Sequence, residues 1–355
     1  MKYSFSAKLQ KWYNINKRSL PWRDTSNAYQ IWLSEIILQQ TRVNQGLPYY
    51  NKFAEHFPTV FDFAKSNEDD VLKLWQGLGY YSRGRNMLKC AKKVVSDYNG
   101  IFPKNLKDLK SLPGIGDYTA SALLSFAYNQ PYAVLDGNVY RVLSRYYGID
   151  TPINTSQALN EFKALADMLL DTKNPGHHNQ AMMEFGALQC IPKSPNCSVC
   201  IFQETCVATR SNTVNQLPKK NKAKPKRIRY FNYIIFTNKN RVLIQKRPAG
   251  DIWQGLHEFP LIEMGSTTSQ TKVKDVINLK FSTDNQAIQQ VFSHKHILTH
   301  QTIYADFWLV HSTSIDFNGN SDIFEVDLQE LGDGFAMPVL LHKLLESPIM
   351  ADICR

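Results

Sequence analysis

The apolar periodicity of this chain of 355 residues changes once along its length, and that change limits the architecture more than any single residue does. From about Ser6 to Ala208, apolar residues recur at helical spacing, as in Trp32, Leu33, Ile36 and Ile37 and again in Val139, Val142, Leu143 and Tyr146. Gly and Pro interrupt the pattern at Gly77–Gly79, Pro113–Gly116 and Pro175–Gly176, which predicts helices joined by short turns. Beyond residue 230 the period shortens. Phe231–Thr237 and Arg241–Lys246 flank Asn238-Lys239-Asn240 as the arms of a hairpin would, and Ile297–Val310 has strand character. Lys272–Leu279 and Val339–Leu345 read as helices. The two regions are separated by LPKKNKAKPKRIR at Leu217–Arg229, with seven basic residues, two prolines and no acid. Such a stretch predicts an exposed, extended linker, with phosphate contact as a secondary role. The expectation is a multidomain chain: an all-α domain over 1–210, a basic linker over 211–229 and a mixed α/β domain over 230–355.

The formal net charge of +10 calls for an anionic partner, nucleic acid or a membrane surface. No apolar run approaches the roughly 20 residues needed to span a bilayer. Met1–Leu20 mixes Lys, Arg, Asn and aromatics rather than forming the apolar stretch of a secretory signal. A cytoplasmic protein without membrane association is expected, and the charge is assigned to nucleic acid.

Four of the six cysteines, Cys190, Cys197, Cys200 and Cys206, crowd into one loop with the spacing Cys-x6-Cys-x2-Cys-x5-Cys, while Cys90 and Cys354 lie far away. In an intracellular chain such crowding indicates ligation rather than disulfides. Four thiolates this close suit structural zinc or a [4Fe-4S] cluster, and spacing leaves both open.

Within Leu106–Ala127 a helix, the turn Leu112-Pro113-Gly114-Ile115-Gly116 and a second helix follow in order. Gly114 and Gly116 let backbone N–H groups approach a ligand without a Cβ in the way, and the second helix adds its own unpaired N–H groups. A DNA phosphate suits such a site, although an ordinary helix connection with a Gly C-cap has the same pattern.

Two carboxylates stand out. Asp136, in Val134-Leu135-Asp136-Gly137-Asn138-Val139, precedes an apolar-periodic helix and is a good N-cap; there it would stay ionised and able to stabilise a cationic sugar. Glu35 sits in the largely apolar Ile31–Thr41 stretch, where desolvation would make it easier to protonate; the alternative is a Glu on a polar edge paired with Arg42. One acid to protonate a leaving base and one carboxylate to stabilise an oxocarbenium-like sugar are what cleavage of an N-glycosidic bond requires. The two are 101 positions apart.

Taken together, the hairpin, Asp136 and the cysteine loop resemble the helix-hairpin-helix DNA glycosylases. Lyase-competent members of that superfamily carry a Lys just after the hairpin, where this chain has Tyr118; no lysine occurs between Lys110 and Lys163. Schiff-base chemistry is therefore not expected. The resemblance narrows to the MutY-type adenine DNA glycosylases through LPWR (Leu20–Arg23), WLSEIILQQT (Trp32–Thr41), GLGYYSR (Gly77–Arg83), LPGIG, LDGNV and QAMMEFGA (Gln180–Ala187). It implies that Glu35 protonates adenine N7, that Asp136 stabilises the sugar cation, and that Tyr118 and Asn138 support both. Arg23 and Glu184 would contact the extruded adenine and Trp22 would line its pocket. Gln40 and Tyr80 would wedge into the base stack, while Leu112, Gly114 and Gly116 grip a phosphate. The four cysteines would hold a [4Fe-4S] cluster.

The same resemblance makes the second domain Nudix-like, including Trp253-Gln254-Gly255-Leu256 to Phe259-Pro260. Its Lys272–Leu279 helix offers a single acid, Asp275, so Mg2+-dependent hydrolysis is not expected. His294, His296 and His300 suggest a metal site or plain surface histidines, whereas the resemblance makes Phe292-Ser293-His294 a loop that senses 8-oxoguanine. The implied fold is an all-α helix-hairpin-helix glycosylase domain with an iron-sulfur loop at 190–206, then an α/β Nudix-like domain. The implied enzyme is a monomer that hydrolyses adenine from double-stranded DNA, opposite 8-oxoguanine or guanine. Its rivals are a glycosylase-lyase of the endonuclease III type and a non-catalytic DNA-binding module.

Overall fold

The structure is a computed structural model that describes residues 2–222, 225–238, 240–281, 287–311 and 322–353. Cys354 and the Lys239 turn residue lie outside them. Two compact units form: Met1–Lys65 with Lys89–Ala223, and Ser66–Leu88 with Lys224–Arg355. Residues 66–88, helical in pattern like their neighbours, thus cluster with the strand-rich half of the chain.

Among the described residues, the regular elements of the first unit are all helices. Its core joins Leu9 and Tyr13 from the Lys2–Asn16 helix to Val139, Val142 and Leu143 from Gly137–Tyr147 and to Phe162 and Phe185 from two further helices. Side-chain caps mark where these helices start. Asn27 accepts from the N–H of Tyr29 and Gln30 to open Ala28–Ile37, and Asp136 does the same for Gly137–Tyr147 from Asn138 and Val139. Gly148, with φ at 72°, ends the latter helix in the left-handed conformation that Gly adopts without strain. Among the described residues no helix is long and apolar enough to cross a membrane.

The second unit holds β1 (Arg227–Asn238), β2 (Arg241–Lys246), β3 (His257–Glu258), β4 (Leu261–Met264), β5 (Ile288–Ile297), β6 (Gln301–His311) and β7 (Ile323–Asp327). They make one sheet in the order β3-β2-β1-β6-β5, with β4 also on β1 and β7 also on β2. β1 and β6 run parallel and the other pairs antiparallel. Phe231, Tyr233 and Ile235 of β1 face one core, and Ile234 and Phe236 face the other, so the central strand is apolar on both sides. The hairpin read at Phe231–Lys246 forms, with Asn238 opposite Arg241. The single strand read at Ile297–Val310 does not. The chain turns at 298–300 and returns, because β5 pairs along β6 from Ile288 against Val310 to Ile297 against Thr302.

Candidate active site

Glu35 lies in a helix in which Tyr29 and every residue from Ile31 to Ile37 are buried. Glu35 is 8% exposed, and the Tyr118 hydroxyl, which donates to Met183 Sδ at 3.9 Å, is near enough to favour its charged form. Burial pushes its pKa up to about 7; the Tyr118 hydroxyl opposes the rise, the negative charge of Asp136 adds to it, and Arg23 lowers it. Arg23, not Arg42, is the cation that acts on Glu35.

Glu35, Asp136, Tyr118 and Asn138 line one cavity of about 1340 Å3 in the first unit. The chain thus closes the gap of 101 positions between the two carboxylates. Asp136 is bound on both oxygens: Oδ1 accepts from the N–H of Asn138 at 2.9 Å and of Val139 at 2.8 Å, and Oδ2 accepts from Asn138 Nδ2 at 2.7 Å. Burial nevertheless raises its pKa above the ordinary aspartate value, against those bonds and the charge of Arg141. The cap role read from sequence is therefore real, but capping alone does not keep this carboxylate as acidic as an exposed one.

Asn138 is itself held from behind. Its Oδ1 accepts from Arg141 Nη2 at 2.9 Å, and Arg141 also donates to the Cys190 carbonyl at 2.7 Å and the Gly186 carbonyl at 2.6 Å. Gly186 permits this approach, since a Cβ there would come within 2.6 Å of Asn138 Cβ. One guanidinium thus links Asn138 to the first cysteine of the loop. Neither Arg141 nor Gly186 was singled out in sequence; no local pattern marks a side chain whose partners come from two other segments.

Tyr118 stands in the first turn of the Asp117–Phe126 helix, directly after Gly116. Gly116 caps that helix without any side-chain hydrogen bond, Gly114 adopts φ at 77°, and both glycines border the cavity. The uncapped N–H groups can receive an anion. Leu112 differs from this: its side chain is 2% exposed, and its carbonyl accepts from the N–H of Ile115 at 3.2 Å, so it builds the turn from inside.

Arg23 and Glu184 meet, with Nη1 and Nη2 donating to the two carboxylate oxygens at 2.8 and 2.6 Å. Arg18, which sequence reasoning missed, donates to the same oxygens through Nε at 2.9 Å and Nη2 at 2.6 Å. Burial alone would raise the Glu184 pKa, but the two arginines and the Arg18 N–H pull it down to about 2. Trp22 is buried, with its ring 4.8 Å from Tyr50, and borders the same cavity. Gln40 is exposed at φ of 56°, and Tyr80, in the second unit, at φ of 49°. Left-handed backbone is costly for side chains of this kind, and such strain gathers at functional sites.

The four loop cysteines line a separate space of about 30 Å3 together with Arg145 and Phe202. Cys190 Sγ accepts from Arg145 at 3.4 Å and Cys200 Sγ from the N–H of Phe202 at 3.4 Å. Burial pushes the Cys200 thiol up to about 11, and the other three cysteines push it the same way. Four thiolates at this place therefore need a compensating positive centre, a demand that a metal group meets. Among the described residues, no three His, Cys, Asp or Glu side chains converge on a single metal ion.

In the second unit, Phe292, Ser293 and His294 lie within β5 and not in a loop. A register shift between Gln290 and Phe292 bends the strand just before them. Ser293 donates to Asp306 at 2.6 Å, and Phe292 packs on Phe307. His294 Nε2 accepts from Lys343 at 2.9 Å; a cation at that nitrogen is the opposite of what a metal site at His294 and His296 would need.

The fold has counterparts among known proteins. A family model for "HhH-GPD superfamily base excision DNA repair protein" matches residues 33–167, and a NUDIX domain model matches 232–347. A thermostable thymine-DNA glycosylase superposes with a TM-score of 0.55 at 28% identity, over 59% of this chain and 97% of its own. An endonuclease III–DNA complex at 20% identity and a TM-score of 0.51 shares the fold, over 60% of this chain and 98% of its own. Fold and site together define the class as a helix-hairpin-helix base excision repair protein with a Nudix-like second part. Two adenine DNA glycosylases of Buchnera aphidicola are similar: 39% identical over 73% of this chain and 74% of the relative, and 33% over 97% and 98%. The human adenine DNA glycosylase is 40% identical over 60% of this chain and 41% of its own. The chain belongs to the adenine DNA glycosylase family.

Proposed function

We propose that this chain removes adenine from duplex DNA where it stands opposite 8-oxoguanine or guanine, by hydrolysis and without strand cleavage. The observation that carries the reading is the Glu35 carboxyl, pushed up to about 7 in the same cavity as Asp136. An acid half-protonated near neutrality can donate to a leaving purine, and a carboxylate beside it can stabilise the sugar cation. Extrusion of the nucleotide is required because the glycosidic bond is inaccessible in the stack, and the cavity of about 1340 Å3 has room for a base with its sugar.

In this reading Glu35 is the general acid, and Tyr118 orients it through its hydroxyl. Asp136 stabilises the cation, and Asn138 holds Asp136. Arg23, Glu184 and Trp22 receive the adenine. Gln40 and Tyr80 wedge into the stack, supported by their left-handed backbone. The N–H groups at Gly114 and Gly116 take a phosphate. Ser293 and His294 read the opposite base from a bent strand. With Tyr118 after the hairpin, no amine is supplied there to capture the sugar. The domain division proposed is 1–210, 211–229 and 230–355, except that residues 66–88 cluster with the last part. The second unit's first strand also begins already at Arg227, and Arg229 is buried and not on an exposed linker. A cytoplasmic monomer is proposed.

The cysteines 190, 197, 200 and 206 fit a [4Fe-4S] cluster, since the donor set is all sulfur and the thiols surround a common space. When bound, the cluster supplies a structural cross-link and no redox step, because hydrolysis needs none. Iron and sulfide in anaerobically purified protein support the assignment; stoichiometric zinc overturns it.

The test of the activity uses a labelled duplex with adenine opposite 8-oxoguanine. Cleavage at adenine only after hot alkali is expected. Cleavage without alkali would replace the reading with a lyase, and tight binding without any cleavage would leave a DNA-binding module.

A further inference from the structure

The basic segment that follows the cysteine loop is fastened to the first unit at its start. Leu217 is buried, and its carbonyl accepts from Arg145 Nε at 3.0 Å. Ile153 donates its N–H to the Lys219 carbonyl at 3.0 Å. Asn221 donates its N–H to Asn154 Oδ1 at 2.9 Å, and its carbonyl accepts from Asn154 Nδ2. Lys219 pairs with Asp150 at 2.8 Å. Leu217, Pro218 and Lys220 then border the cavity that holds Glu35 and Asp136.

The cations around that cavity differ in what they already do. Arg18 and Arg23 are taken by Glu184, and Arg141 by Asn138 and two carbonyls. Arg42 and Lys220 carry no side-chain ion pair or hydrogen bond among the described residues. A nucleotide turned into the cavity brings its two phosphates towards the carboxyl groups of Glu35 and Asp136, while Asp117 is already paired with Lys110. Bringing phosphate beside carboxylates requires opposing charge.

From this arrangement we infer that Lys220 is a DNA-binding residue of the excision site, gripping a backbone phosphate of the extruded nucleotide. The strap at Leu217–Asn221 holds it at the cavity instead of leaving it on a free linker. The inference rests on the glycosylase reading and assigns that site one further contact.

The experiment measures affinity of the full chain for a duplex whose target adenosine carries a 2′-fluorine to block hydrolysis, from 50 to 200 mM salt. Wild-type excision is measured in parallel on the unmodified duplex. One lost phosphate contact lowers the steepness of log K against log salt by about 0.9. Lys220→Ala is expected to show that decrease and to bind about tenfold more weakly at low salt. Lys220→Arg should keep the wild-type slope, and Lys219→Ala, which breaks the Asp150 pair, should keep it too. An unchanged slope in Lys220→Ala while wild type excises adenine overturns the inference. So does an equal decrease in Lys219→Ala, or a borohydride-trapped adduct that disappears with Lys220. Failure of wild type to excise adenine would instead sink the glycosylase reading, and the slopes would still decide whether Lys220 meets phosphate.

Discussion

Replacing Glu35 with Gln separates the catalytic cost of losing an acid from the stability cost of having buried one. A climb from an ordinary glutamate value of 4.5 to about 7 corresponds to about 3 kcal/mol of unfavourable ionisation in the folded state. Between those two values the unfolded chain has lost this proton and the folded chain keeps it. Stability from this group is therefore complete below about 4.5, falls as pH rises, and stays at its low level above about 7. Glu35→Gln removes the ionisation, so urea unfolding at pH 8 should show the variant more stable by up to about 3 kcal/mol, with the gap closing towards pH 5. Activity moves the other way. Gln cannot protonate adenine, and the single-turnover rate should drop by about 10^2 to 10^4. In wild type, the protonated fraction at pH 8 is about one tenth, so the rate should fall about tenfold for each further pH unit. A wild-type rate flat from pH 6 to 9, or a Glu35→Gln protein with the parental pH dependence of stability, would refute the assignment.

Three further outcomes follow from the packing around Asp136. Asp136→Asn should abolish excision, measured by single-turnover cleavage, while gel-shift affinity for the mismatch is retained. Gly186→Ala places a Cβ within 2.6 Å of Asn138 Cβ, so excision should fall by about 10^2 with little change in DNA affinity, because small displacements of reacting groups are costly. Arg141→Met strips the donor from Asn138 and from the Cys190 and Gly186 carbonyls. At roughly 1 kcal/mol or more for each orphaned acceptor, thermal denaturation should show a midpoint lower by about 5–10 °C.

Much of the site was legible because its residue types are unusual for where they sit. A Glu amid apolar neighbours and an Asp opening a helix are visible without coordinates. Their meeting is not, since helical periodicity says which face is buried but not against what. The same limit hid Arg18. Its fork on Glu184 joins residues 166 positions apart, and nothing next to Arg18 distinguishes it from Lys17. Phe292–His294 was expected in a loop, yet the polar residues there reflect an edge strand with one exposed face. Polarity at an edge reports solvent, not irregular backbone. In the same way the return at 298–300 was missed because Leu298 extends an apolar run across a turn.

The grouping of residues 66–88 with the C-terminal half has a practical consequence. The chain passes between its two units three times, at residues 65, 88 and 223, although its composition shifts once. Lys73 donates to the Gly332 carbonyl at 2.6 Å, Lys246 pairs with Asp69 at 2.5 Å, and Arg85 donates to the Gln254 carbonyl at 2.6 Å. Tyr80 shares a 2.5 Å hydrogen bond with Thr299. A protein shortened at residue 222 would retain Asp69, Lys73, Tyr80 and Arg85 and lose their partners Lys246, Gly332, Thr299 and Gln254. A single cut after the helical part therefore does not divide the chain along its units: Tyr80 is encoded among the helices but held by Thr299, next to the sheet.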